Sequence, residues 1–183
     1  THIKLRKLIV KLHFKTCNPT KATEHLKDMY RYKPDFLSQA IEILSNALKT
    51  FPEEPNILQL LSFFKIEISD YSDAITTLTT LYQNDKSKAK VVYQYIGNIL
   101  KDYPKQVYAL QLKVQLETDD HLFSEAIQTL ETLLTLDESI DHFDFCHDTL
   151  NILELKAPEK HKEAALYTRS YLYYIQEDFN ECL

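Results

Sequence analysis

The sequence predicts an all-α fold, on three observations. Only one of its 183 residues is glycine. Tight β-hairpins and phosphate-cradling loops draw on glycine for φ > 0 and close backbone approach, so neither can be frequent here. Apolar residues recur in steps of three and four along nearly the whole chain, the spacing of one helix face. Short polar or proline-bearing breaks separate these runs. A hydrophobic share of 44% with 26% charged residues is enough to fill a core, so the breaks read as turns and not as disorder.

In chain order, the first run mixes Lys4, Arg6, Lys7, Lys11 and Lys15 into an apolar pattern and ends at Asn18-Pro19. Pro34 precedes the next break, and Asp35 is a candidate helix cap. Phe36, Leu37, Ala40, Ile41, Leu44, Ala47 and Leu48 then follow helical steps. Pro52 and Pro55 flank a gap before the stripe of Leu58, Leu61, Phe64 and Ile68. Ala74, Ile75, Leu78 and Leu81 form another run, closed by Asn84-Asp85 and Ser87. Pro104 is placed in the first turn of a helix, where a missing N–H is harmless. Asp119-Asp120 precedes a run from Leu122 to Leu134, and Asp137 to Ser139 and Pro158 supply the last breaks. The pattern predicts about eleven helices of roughly 10–17 residues, with gaps of the length found between antiparallel neighbours. No run of about 18 apolar residues occurs, so no membrane span is predicted.

Internal repetition is visible in three alanines. Gln39-Ala40-Ile41, Asp73-Ala74-Ile75 and Tyr108-Ala109-Leu110 are spaced by 34 and 35 residues. Around them, Ala40, Leu44, Ala47 and Pro52 match the second-helix half of a helix–turn–helix unit. Leu58, Leu61, Ser62, Ala74 and Leu78 match the next, and Tyr93, Ile96, Gly97, Leu100 and Ala109 a third. Leu166, Ser170, Tyr173, Phe179 and Cys182 match a last one. In this the chain resembles the tetratricopeptide repeat family over residues 21–183. Lys113 departs from the pattern where an apolar residue is expected, as do Phe143 and Cys182 where a small one is. Glu125-Ala126-Ile127 also looks like a second helix, although this register makes it a first. The resemblance implies a right-handed superhelical α-solenoid of about five such repeats plus an N-terminal helix. Small residues, Gly97 and Ser62 among them, would let helices cross closely, and stacked units would share a core. Residues 1–20 stand apart as a basic N-terminal helix, with the second helix of a preceding repeat as the alternative reading. The array is expected to stop inside its last repeat, and the Thr1 start reads as a piece of a longer protein.

Charge is uneven. Residues 1–33 hold nine Lys or Arg and two Asp or Glu, a net of +7, so the remainder carries −13 of the chain's −6. The three cysteines, Cys17, Cys146 and Cys182, are odd in number and far apart. That argues against a disulfide framework and for an intracellular, reducing compartment, cytoplasmic or nuclear.

Chemistry-bearing motifs are absent from the sequence. A single glycine excludes a phosphate loop, and no zinc-protease helix, nucleophile elbow or paired-cysteine pattern occurs. His142 and Cys146 share a helix face within the cluster Asp141, His142, Asp144, Cys146, His147. The simpler reading is solvated polar residues around one packed cysteine. Cys17 and Cys182 likewise read as packing thiols. The expectation is no enzyme, no catalytic residue, no metal and no cofactor.

The resemblance implies that first helices line a concave groove that holds a peptide or partner helix. Its inward positions are then Asn56, Gln59 and Phe63; Gln94, Asn98 and Lys101; Gln128 and Thr132; and Tyr167, Tyr171 and Tyr174. Amides pair with an extended backbone as donor and acceptor. Tyrosines offer contact area at little entropic cost. Asn98 and Lys101 stand without the basic cluster that family members use to grip acidic C-terminal peptides. The function expected is a scaffold or adaptor segment binding a protein partner within a multi-subunit complex. One alternative is an acidic partner or nucleic acid on Lys4, Arg6, Lys7 and Lys11, and the overall negative charge argues against nucleic acid. The other is a structural spacer.

Overall fold

The computed structural model describes residues 2–136 and 142–181, with side chains for 3–136 and 142–176. Asp137 to Ser139, Asp141, the Phe179 side chain and Cys182 lie outside the described residues. Ten α-helices and two 3₁₀ turns account for the described fold, one helix fewer than expected, with no strand among these residues. The helices are α1 (His2–Lys15), α2 (Pro19–Tyr32), α3 (Leu37–Leu48), α4 (Pro55–Glu67) and α5 (Tyr71–Asn84). They continue with α6 (Ala89–Asp102), α7 (Val107–Asp119), α8 (Phe123–Leu134), α9 (Phe143–Lys156) and α10 (Glu159–Glu181). Among the described residues no helix is long and apolar enough to cross a membrane.

Local chemistry sets the helix starts. Asn18 caps α2, its side chain accepting from the Lys21 N–H at 3.3 Å, and Pro19 supplies the fixed φ of the first turn. Asp70 caps α5 and Gln106 caps α7, the latter accepting from the Ala109 N–H at 2.7 Å. Two residues expected at helix starts are placed differently. Pro104 lies in the turn ahead of α7, because Gln106 takes the capping position two residues later. Asp35 sits inside the 3₁₀ turn Pro34–Phe36, and α3 starts from Phe36 with no side-chain cap.

The chain divides into two compact units, residues 1–95 and 96–183, the boundary falling within α6. In the first, α1 pairs with α2 and α4 with α5, while α4 also packs on α2 and α3. Its core includes Val10, Ala22, Leu26, Ala40, Leu44, Ile57, Leu60 and Phe64. In the second, α7 pairs with α8, and α10 packs on α9 and α8 around Val114, Ala126, Leu130, Cys146, Leu150 and Leu172. The expected register joined α8 to α9 as one unit. Instead α8 is the second helix of the α7 hairpin, which explains why Glu125-Ala126-Ile127 resembles one.

Three turns show why the hairpins form where they do. Cys17, Ser69 and His121 have φ of 54°, 61° and 61°, the left-handed conformation, and each stands 52 residues after the last. In each, the next residue's N–H reaches back to the carbonyl five before it: Asn18 to His13 at 2.8 Å, Asp70 to Lys65 at 2.9 Å, Leu122 to Glu117 at 2.8 Å. The left-handed residue itself bonds three back, to Phe14, Ile66 and Thr118. This is the Schellman termination, formed three times without glycine. The same 52-residue step relates the buried positions Val10, Ser62 and Val114 of one helix and Ala22, Ala74 and Ala126 of the next. It also relates three contacts between residues three positions further on in each helix: the stacked rings His13–His25, the Lys65–Thr77 hydrogen bond and the Glu117–Thr129 hydrogen bond.

A third helix completes each period. Ala40, Val92 and Cys146 are buried at its equivalent position, as are Leu44, Ile96 and Leu150. The last members come two residues late because the connection ahead of Phe143 is longer. Pro52, Pro104 and Pro158 close the three periods. The spacing of Ala40, Ala74 and Ala109 therefore links a third, a second and a first helix, and these buried alanines occupy non-equivalent positions.

Gly97 is a further difference. A Cβ built there meets nothing within 4 Å, so this glycine serves no close helix crossing. Lys113, out of place in an apolar pattern, pairs with the fully buried Glu117 at 3.4 Å and donates to Thr129 at 3.2 Å.

Candidate functional site

Helix α4 places Asn56, Gln59 and Phe63 on one face through steps of three and four. All three line a pocket of about 230 Å³ with Thr20, Thr23, Glu24 and Lys27 of α2 and with Tyr95. Asn56 Nδ2 donates to Thr20 Oγ1 at 3.1 Å and to Glu54 Oε1 at 2.9 Å, which fixes its amide. The Phe63 ring meets Tyr30 edge-on at 6.0 Å and Tyr95 at 6.4 Å. Tyr30 donates to Glu67 Oε2 at 2.7 Å, a bond that raises its phenol pKa. Burial raises that of Tyr95, while a hydrogen bond with Gln59 acts the other way. The pocket lining thus joins two aromatic rings to polar side chains. Of the sequence-expected residues, these three are brought together.

The others lie on three separate helices. Gln94, Asn98 and Lys101 are exposed along α6. Gln128 and Thr132 are exposed on α8, where the Thr132 hydroxyl donates to the Gln128 carbonyl at 2.9 Å. On α10, Tyr167 is 73% exposed, Tyr171 39% and Tyr174 62%, beside exposed Leu166 and Tyr173. The far side of α10 is fastened to α9. Arg169 binds Glu154 at 2.6 Å and Asn151 at 2.8 Å, and the Glu154 bond raises the guanidinium pKa against the effect of desolvation.

The basic alternative splits in two. Arg6 lies over the Tyr32 ring and Lys7 over Phe36, both at 5.2 Å, and Lys7 also donates to Gln39 Oε1. Those two cations serve internal packing, and Lys4 and Lys11 are exposed.

Sequence reasoning missed Tyr95, one position away from Gln94, and Tyr30 on a neighbouring helix. It also missed an open cleft of about 710 Å³ bounded by Tyr103, Pro104, Gln106, Tyr108 and His142. There His142 Nδ1 stands 2.9 Å from Gln111 Nε2, and its ring meets Tyr108 edge-on at 5.5 Å. Cys146 is fully buried, and burial pushes its thiol up to about 12, as suits a packing residue. Cys17 is exposed at its turn, contrary to the packing role expected of it, because the left-handed tip projects from the hairpin. Among the described residues no group of three or more His, Cys, Asp or Glu is arranged to hold a metal ion.

No protein-family model matches the chain. No curated protein matches it either. A solved structure described as "MamA RS-1 ArsTM double mutant" matches over 97% of this chain and 96% of that chain, at 14% identity and a TM-score of 0.39.

Proposed function

We propose that the chain is a non-catalytic protein-interaction segment, an adaptor or scaffold built of tetratricopeptide-like helical hairpins. Its ligand is a peptide or partner helix held on the polar and aromatic first-helix surface. The α10 tyrosines carry the reading. Tyr167, Tyr171 and Tyr174 stand on one stripe, largely exposed, on a helix whose opposite side is already occupied by α8 and α9. Exposed aromatics clustered on one face are what partner binding selects, and a helix serving only to space other domains has no use for them. The pocket of Asn56, Gln59 and Phe63 adds amide donors and acceptors next to rings, the mixture that holds an extended backbone.

The test is site-directed photo-crosslinking in the cells that make the protein. A benzophenone amino acid is placed at 171, at 63 and, as a control, at the exposed Ser124. The expected result is one discrete adduct from 171 or 63 and none from 124. The adduct should disappear when Tyr167 and Tyr174 are changed to Ala in a chain that remains helical. Adducts of equal yield at all three positions, or none at any, would sink the proposal and favour the spacer role.

A further inference from the structure

The pocket lined by α2 and α4 is small and chemically one-sided. Its volume is about 230 Å³. That is below the roughly 300–1,000 Å³ of drug-sized ligand sites, so it admits one side chain of a partner and not a folded element. Its polar groups spend their donors inside the protein. Asn56 Nδ2 donates to the Glu54 carboxylate at 2.9 Å and to the Thr20 hydroxyl at 3.1 Å. A carboxylate only accepts, so the amide nitrogen is fixed there and Oδ1 is the atom left to meet a ligand. Thr23 gives its hydroxyl proton to the Thr20 carbonyl at 2.8 Å and keeps its lone pairs. Glu24, exposed in the same lining, is an acceptor with a negative charge.

The lining also holds the half-buried rings of Phe63 and Tyr95, with centroids 6.4 Å apart and planes 37° from parallel. Ring faces attract cations. Lys27 is a cation in the lining, and it is exposed. Two carboxylates outweigh it, Glu24 and the Glu54 bonded to Asn56. Acceptors, negative charge and ring faces are satisfied together by a flat cation that carries several N–H groups. A guanidinium does this better than an ammonium, which is more strongly hydrated and has no flat face to lay on a ring.

Resting on the peptide-binding reading above, we propose that this pocket is an arginine subsite. It takes one arginine side chain of the bound partner, guanidinium against ring. Asn56 Oδ1, Thr23 Oγ1 and the Glu24 carboxylate accept its N–H groups.

The probe is an acetylated and amidated Ala-Ala-Arg-Ala-Ala peptide, titrated into the isotope-labelled full chain and followed by NMR. The expected result is saturable shifts at the Asn56 side-chain amide and at the Phe63 and Tyr95 main-chain amides. A single side chain gives a Kd on the order of millimolar. Citrulline in place of arginine, alike in shape and uncharged, should bind about fivefold or more weakly, and lysine should also bind less well than arginine. Glu24→Gln and Phe63→Leu should each weaken arginine binding about two- to fivefold. Lys27→Ala removes a like charge and should tighten it. Glu24 and Lys27 are exposed, so their variants should keep the parent's helical circular dichroism. No saturable shift, equal affinity for the citrulline peptide, or tighter binding of a glutamate peptide overturns the inference. So does loss of arginine binding in Lys27→Ala. A crosslinked adduct at 63 with no arginine binding leaves the peptide-binding reading standing and sinks only the subsite. Absence of adducts at 63 and 171 counts against that reading alone.

Discussion

Glu117 has no solvent exposure, yet it lies in a hairpin whose buried positions are mostly apolar. It is kept there by Lys113 and by the Thr129 hydroxyl at 2.8 Å. Taking away a cation beside a buried carboxylate is costly, so Lys113→Met should lower stability by about 2 kcal/mol in urea denaturation. Lys113 looked like an error in an apolar pattern because its partner, four residues away, is itself buried, a fact that spacing alone does not disclose. Gly97 misled in the opposite sense. Its position in a repeat motif suggested close packing, yet the space around it is open, so Gly97→Ala should raise stability by about 0.5–1 kcal/mol. Cys146 was legible as a packing thiol, and its burial has a pH signature. An unfolded thiol ionises near pH 8.5, whereas the folded one is held neutral up to about 12. Its contribution is complete below the unfolded value and is lost as pH rises from there toward 12. Denaturation midpoints between pH 9 and 11 should fall more steeply in the parent than in Cys146→Ala.

At the scale of helices, the sequence placed most runs and breaks within a few residues, because proline and apolar periodicity act locally. The pairing of helices was less accessible. The turn that makes α7 and α8 a hairpin is Asp120 to Leu122, with neither glycine nor proline to mark it. The left-handed residue there is His121, so the usual C-terminal signal is missing. Two measurements weigh these turns. His121→Gly relieves a left-handed side chain and should gain up to about 1 kcal/mol, less what glycine adds to the freedom of the unfolded chain. Asp70→Ala removes the cap of α5 and should cost about 1 kcal/mol. Equal and near-zero effects on thermal melting would mean that tertiary packing alone sets the hairpins. On α10, changing Tyr167 and Tyr174 to Ala should leave helical content intact, since both are exposed.

Across the whole chain, all-helical character follows from composition, whereas the 52-residue period shows only in the turns and burial. Three alanines at a 34-residue spacing outweighed a 52-residue step, because the longer step conserves burial and geometry more than residue type. Position 10 of the first period is Val, then Ser, then Val, and the left-handed tip is Cys, then Ser, then His. The candidate site was legible where its residues share one helix, as Asn56, Gln59 and Phe63 do. It was not where a ring arrives from another helix, as Tyr95 does. Each unit holds its own core, so damage should stay local. In hydrogen exchange, Leu130→Ala should speed exchange across α7 to α10 and leave α1 to α4 within error. Uniform acceleration would show that the chain unfolds as one body. The three left-handed tips hold their turns through main-chain bonds, whatever side chain they carry. They are therefore places where one side chain can be exchanged for a reporter group, at regular intervals along the chain, with the helices on either side undisturbed.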